Sequence, residues 1–437
     1  MLGLEAAVER FLEWRDDEPL PSVPDFSIRP SLFRMAAAAD EPWLGMPPEI
    51  EQKPLVEPAL KNYELETEVR AWWLERMLRT QNPLLEKMTL FWHGHFATSI
   101  AKVGDPLLMW TQNLTLRHHA LGDFGALVKA ISRDPAMMIY LDVERNGKNK
   151  PNENFARELM ELFTLGIGNY SEEDIQQAAR AFTGYRLKPV TRDFQFIERE
   201  HDHGQKFFMG WISDYEGDEI IDRILDRPAC AQFICTKLWR FFASEDLDAG
   251  RIASLAQTLR ENRYKLKPVL RELFTCPEFY SARALQSQIK SPVQFFVQTA
   301  RSLGVEPSTA GTWQGQLRQL GQTLFAPPNV KGWDGGKTWI STQTLLLRYN
   351  CAEISLRPGN KSSREFVNIA VLAPKSVRTD PELLVNQLAF RLFQRSLDPK
   401  LLQTFLDFIE PHRGDLNDQI VRNLLQLMIS TPQFQVG

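Results

Sequence analysis

Pro151-Asn152-Glu153-Asn154-Phe155-Ala156-Arg157-Glu158-Leu159-Met160-Glu161-Leu162-Phe163 reads as an amphipathic helix, and both fold class and candidate chemistry turn on it. At about 100° per residue, Phe155, Leu159, Leu162 and Phe163 fill one arc that must face a core. Asn154, Glu158 and Glu161 lie within about 60° of one another on the adjoining arc, with Glu158 at the boundary. A half-buried carboxylate there has a raised pKa and can serve as a general base or a hard oxygen ligand. The same residues also make an ordinary solvated helix face.

Outward from this stretch the helical signal continues. Asp134-Pro135, Ser291-Pro292, Asp380-Pro381 and Asp398-Pro399 each place a capping side chain before a proline that has no amide to lose. Ser171-Glu172-Glu173-Asp174 adds a capping box. The pattern predicts helices over 69–92, 107–131, 135–143, 152–165, 171–184, 218–226, 228–243, 250–261, 266–276, 291–303, 313–323, 343–356, 381–394, 398–409 and 416–430. Strand signal is thin: Phe194–Ile197 and Lys206–Met209 are expected to pair as a single hairpin. The expected fold is mostly α, a multi-helix globular array with one short β-hairpin and an irregular, Pro-rich N-terminal segment.

That segment is placed at 1–62, although Leu4 to Trp14 can form a helix. A main helical domain follows at 63–356, a connection at 357–380, and a C-terminal helical segment at 381–437 that packs on the main domain. Val269–Phe279 and Leu424–Phe434 echo each other as helices stopped by proline with an aromatic just beyond. They suggest either duplicated packing units or a common way to end a helix.

The chain has 437 residues, long enough for a large core or for two to three domains. Its 51 basic against 55 acidic residues leave a net charge of −4, which removes the main driving force for sequence-independent nucleic-acid binding. No apolar run approaches the roughly 18 residues of a membrane span. Met1-Leu2-Gly3-Leu4-Glu5 does not read as an export signal. Cys230, Cys235, Cys276 and Cys351 are too scattered for a disulfide framework and are expected to be buried apolar residues.

Six of the seven histidines fall between His93 and His203. In Phe91-Trp92-His93-Gly94-His95-Phe96, positions two apart on a helix point away from each other, but a helix end at Gly94 would let both rings turn to one site. Glu200-His201-Asp202-His203-Gly204-Gln205-Lys206 is a loop of titratable groups able to bind metal or shuttle protons, or simply a polar turn. With Glu158 or Glu161 these groups would make a mixed N/O site for zinc, manganese or iron. Pro327 to Ser341 presents Trp333 and Trp339 among glycines and lysines, a platform for a sugar ring or a packed structural loop. No phosphate-cradling glycine loop and no nucleophile elbow is present.

Together these motifs resemble the bacterial domain-of-unknown-function 1800 family. Phe91–Phe96 resembles its WHxHF motif, Leu116-Arg117-His118-His119-Ala120-Leu121-Gly122 its R-x-H-A-L-G motif, and Asn152–Gly166 its NENxARELxELxTLG motif. Asp174–Gly184 and His201-Asp202-x-Gly204-x-Lys206 match two further segments, and Ser291-Pro292, Gly332-Trp333, Trp339 and Arg348 complete the likeness. The resemblance implies a helical fold and an exported, periplasmic or cell-envelope setting beside a sulfatase-like companion, the domain-of-unknown-function 1501 family. It brings no established activity. Gly94 stands where many members have Asn, and Phe163 where many have His.

The resemblance also implies one polar site from His93, His95, Arg117, His119, Asn154, Glu158, Glu161, His201, Asp202 and Lys206. In an enzyme of metal-assisted or acid–base type, most simply a hydrolase, Glu158, Glu161, Arg117 and Lys206 would be catalytic. His93, His95, His201 and Asp202 would hold a divalent metal, and His119, Asn154, Trp333 and Trp339 would bind substrate. The alternative is a non-catalytic binding or assembly protein for a glycan, a peptide or a partner protein, with structural histidines. Close approach of the polar elements separates the two.

Overall fold

In the computed structural model, residues 3–13, 24–26, 56–305, 310–356 and 367–437 are described. Most of the Pro-rich stretch expected to be irregular, and residues 357–366 of the expected connection, lie outside them. Helices dominate, and they start where local chemistry starts them. Asp134, Asp380 and Asp398 each accept a backbone amide one or two residues beyond their proline, and Ser171 and Ser291 close full capping boxes.

Two expected helices are each divided. The span 69–92 consists of Val56–Arg79 and Pro83–His95, because Pro83 cannot donate within a continuing helix and instead opens the next one. The span 107–131 consists of Pro106–His119 and Phe124–Ser132: Asp123 takes the Ala126 amide at 2.8 Å and begins a new helix after Gly122. Leu4–Leu12 is helical, and residues 367–380 hold two short helices, Ile369–Leu372 and Lys375–Arg378.

The strands correct the expected hairpin. β1 (Tyr185–Leu187) pairs antiparallel with β2 (Phe194–Phe196), and β3 (Lys206–Phe208) with β4 (Trp211–Ser213). Both runs singled out are strands, but not of one another. Met209 (φ 50°) and Gly210 (φ 93°) form a two-residue turn that folds β3 straight back onto β4.

Two hydrophobic cores organise the helices. The first runs from Val8 to Cys276, the second from Val69 to Phe434. Pro83–His95 serves both, giving Leu85, Met88, Phe91 and Trp92 to the first and Leu90 to the second. The two echoed segments end in different cores. Phe279 packs on Phe274 at 5.5 Å, while Phe434 is fully buried against Phe295 and Phe393. All four cysteines are buried.

One cap carries a pH prediction. Asp134 is buried, its Oδ1 accepting from the Met137 amide at 2.9 Å and from Gln112 at 2.7 Å, while Oδ2 has no partner. Burial outweighs those hydrogen bonds and pushes the carboxyl up to about 7. Because this value lies above the unfolded one, its stabilisation is complete below the ordinary carboxylate range and is lost as pH rises through about 7. Asn mimics the protonated acid and still caps. Asp134→Asn should therefore gain on the parent by up to about 4 kcal/mol between pH 4 and pH 8, at about 1.4 kcal/mol per pKa unit. Urea midpoints at the two pH values measure it; parallel curves would refute it.

Candidate functional site

His93 and His95 sit at the end of Pro83–His95, where the helix continues through Gly94, so the two rings stay on different sides. His93 is buried, with its ring 5.2 Å from Trp73 and 5.6 Å from Trp333. Its Nε2 accepts the Phe325 amide at 3.0 Å, so Nδ1 carries the proton, and burial pushes its pKa down to about 3. His95 has the opposite tautomer. Its Nε2 lies 2.9 Å from the Phe163 carbonyl, which can only accept, leaving Nδ1 to accept from Lys237 Nζ at 3.1 Å. Burial and then the Lys237 charge hold it well below the usual histidine value. Neither ring keeps a lone pair for a metal. The expected convergence at Gly94 is corrected by a distant loop: Gly332 (φ 86°) lies so close that a Cβ there would come within 2.2 Å of the Gly94 carbonyl, and Trp333 covers Gly94.

The helix that begins at Glu153 changes register midway. Glu153–Glu158 is α-helical and Leu159–Thr164 is a π-turn, with Thr164 Oγ1 reaching back to the Leu159 carbonyl at 2.5 Å. Its late carbonyls are taken by Lys237 (Leu162, 3.0 Å) and His95 (Phe163, 2.9 Å). Lys237 thus ties three helices together, and burial, aided by Lys331 and Arg240, pushes its pKa down to about 8. The sequence reading missed it; a lysine between Ile234 and Leu238 on the apolar stripe of Pro228–Phe242 was the signal.

Glu158, at the α-to-π junction, is half-buried and has no hydrogen-bond partner among the described residues. Burial first, then the neighbouring Glu161 charge, raise its pKa against the pull of Arg157. Glu161 accepts from the Tyr170 hydroxyl at 2.9 Å, and burial, then the nearby Glu158 charge, raise the Tyr140 phenol. Asn154 is turned to structure, donating to the Leu141 carbonyl at 3.2 Å.

The other expected site residues are committed elsewhere. Arg117 grips Glu86 through two hydrogen bonds of 3.0 and 2.9 Å, beside Arg76 and Trp73, in a buried ion cluster. His119 is half-buried against His118. Asp202 pairs with Arg180 at 2.7 Å, and the fully buried Lys206 donates to the carbonyls of Asp202 and Gly204, tying its own loop. His201 Nδ1 donates to the Thr183 carbonyl at 2.8 Å, leaving Nε2 buried without a partner. Trp339 is buried rather than presented, and Trp333 lies half-buried over His93.

Among the described residues no three His, Cys, Asp or Glu side chains stand together as a metal-holding group. Ring contacts and hydrogen bonds pair His93 with Trp333 and His95 with the π-turn, and His93 reaches the Arg117 cluster through Trp73 and Glu86. No described hydrogen bond, ion pair or ring contact joins any of these directly to the His201–Lys206 loop. An open groove of about 680 Å³ between Pro228–Phe242 and Ala249–Glu261 is lined by none of the expected site residues.

A family model described as Protein of unknown function (DUF1800) matches residues 2–436. The chain belongs to the DUF1800 family. No curated protein and no solved structure matches it. Among the described residues no helix is long and apolar enough to cross a membrane. The motifs by which this DUF1800 chain resembles its family are, in three dimensions, largely joints. WHGHF holds the π-turn and the Trp333 loop, the Arg117 segment anchors a buried ion cluster, and His201–Lys206 fastens itself to Arg180 and Thr183. The carboxylates Glu158 and Glu161 are the exception.

Proposed function

We propose that this DUF1800 chain is a binding protein that takes a ligand rich in hydrogen-bond donors, an amine, guanidinium or sugar, on the Glu158–Glu161 face. The observation that carries this reading is Glu158 itself, half-buried, without a partner among the described residues and held at raised pKa beside a second carboxylate. Two carboxylates that repel each other are relieved by a donor or a cation, and Tyr140 and Tyr170 flank them with aromatic surface. Most of the other motif residues supply rigidity, because their polar atoms are engaged within the fold, His201 Nε2 excepted. The periplasmic setting and the sulfatase-like companion implied by the resemblance belong to this proposal, the companion being the first protein partner to assay.

Binding of an amine-bearing oligosaccharide array and of a lysine-rich peptide should weaken at least tenfold in Glu158→Gln and Glu161→Gln. For a cationic ligand, affinity of the parent should rise as pH increases through the Glu158 value, and Glu158→Gln should flatten that dependence. Unchanged affinity in both variants would overturn the assignment. A second reading, acid–base hydrolysis, is favoured only by the raised Glu158 carboxyl. It requires turnover that Glu158→Gln abolishes while ligand binding survives.

A further inference from the structure

Among the described residues the hairpin Lys206–Ser213 leaves one edge of its sheet uncovered. β3 is held against the Glu172–Ala181 helix, where Asp174 accepts the Met209 amide at 2.8 Å. Among the described residues β4 has no strand on its far side. The two-residue turn makes Phe208 and Trp211 a hydrogen-bonded pair, so the N–H and C=O of Ile212 point away from β3. Trp211 is 62 % exposed and Ile212 65 % exposed. Successive strand residues face opposite sides, so apolar side chains flank the open edge on both faces. Phe207, opposite Ile212, extends one of these surfaces.

Charge, proline and bulges commonly blunt such an edge; β4 carries none of these, and its three residues leave only the Ile212 amide and carbonyl free to pair. Its surroundings are acidic instead. No Lys or Arg occurs between Lys206 and Arg223, while Asp214, Glu216 and Glu219 are exposed. Arg223 lies under Trp211 at 5.5 Å and pairs with Asp226. A negatively charged rim around an apolar edge selects a partner that is apolar at its centre and basic at its ends.

We propose that β4 is a docking edge for an extended polypeptide segment with alternating apolar residues and Lys or Arg at both ends, added to the sheet as a third strand. Main-chain hydrogen bonds to Ile212 would set register, and Trp211 and Ile212 would contact alternate side chains of the guest. This surface is separate from the Glu158–Glu161 face, and either assignment can fail without the other.

The probe is a fluorescein-labelled nonapeptide of alternating valine and threonine with two lysines at each end, followed by anisotropy. A matched peptide with glutamates in place of the lysines and phosphatidylglycerol vesicles serve as comparisons. Saturable binding below 100 μM is expected, weakening with salt and at least tenfold weaker for the acidic peptide. Trp211→Ala with Ile212→Thr should weaken it at least tenfold, and Asp214→Lys should weaken it and flatten its salt dependence. Unchanged thermal melting establishes that these surface variants fold. No saturation by the basic peptide, equal affinity for the acidic one, vesicle binding alone, or indifference to the Trp211/Ile212 change would each overturn the proposal.

Discussion

Glu86→Ala is expected to cost the fold about 3–5 kcal/mol, the range for removing one partner of a buried ion cluster. Glu86 is 3 % exposed and holds Arg117 at 3.0 and 2.9 Å, Arg76, and the Trp73 indole at 2.9 Å. Its loss leaves the Arg76 and Arg117 guanidinium groups without their shared carboxylate, Arg117 lying against the ring of Trp72. Burial alone would raise the Glu86 carboxyl, but the charges and hydrogen bonds of Arg117 and then Arg76 prevail and hold it below the usual carboxylate value. The cluster's contribution is therefore present above the unfolded carboxylate pKa and lost as pH falls through the lowered folded value. Urea unfolding at pH 7 reads the loss, and the difference between parent and Glu86→Gln should shrink as both are acidified. The triple replacement Arg76→Met, Glu86→Leu, Arg117→Met should recover most of the loss, because packed apolar groups replace a buried ion cluster with little penalty. A single-variant loss under 1 kcal/mol would mean that solvent reaches the cluster.

Helix starts were legible because capping is local: the side chain and the amide it satisfies are two or three residues apart, as at Asp134, Ser171 and Ser291. The division at Asp123 was equally local and was passed over because the hydrophobic period runs straight through it. Strand pairing was not legible from hydrophobicity, since the Phe194 and Lys206 runs look alike; Met209-Gly210 held the answer in its turn chemistry. At the site, helical periodicity was enough to put Glu158 at the boundary between core and solvent. The π-turn after it was invisible, because a pattern of a few apolar residues does not separate a π-turn from an α-turn. Gly94 misled for a different reason. Glycine usually ends a helix, but here it remains within one because Gly332 and Trp333, far along the chain, press against it. The partners of His93, His95, Arg117 and Lys237 are likewise set by tertiary contacts, beyond the reach of local pattern.

A second large effect is expected where two cations are buried with no carboxylate hydrogen-bonded or ion-paired to either among the described residues. Lys290 is 5 % exposed, its Nζ donating to the Phe434 carbonyl at 2.6 Å and lying 4.1 Å from the centre of that ring. Arg348 is fully buried and donates to the Lys290 carbonyl at 2.7 Å, with its Nε unpartnered. Burial, then the Arg348 charge, push the Lys290 amine down to about 7. Since this lies below the unfolded lysine value, its stabilising contribution is present above that value and lost as pH falls through about 7. A shift of this size corresponds to about 5 kcal/mol at about 1.4 kcal/mol per unit, of which the lost hydrogen bond to Phe434 returns about 1. Lys290→Met should therefore be more stable than the parent by about 3–4 kcal/mol at pH 6, with the gain vanishing or reversing by pH 10. The effect should be local as well as global, because the Lys290 amide bonds the Gln435 carbonyl and the Gly437 amide bonds that of Gln288, holding the end of the chain over the amine. Hydrogen exchange of residues 434–437 should thus speed up in the parent, and not in Lys290→Met, as pH drops from 8 to 6 after correction for intrinsic rates. Equal behaviour of the two proteins across that range would mean that the amine stays protonated in the fold and that its charge is balanced in solution.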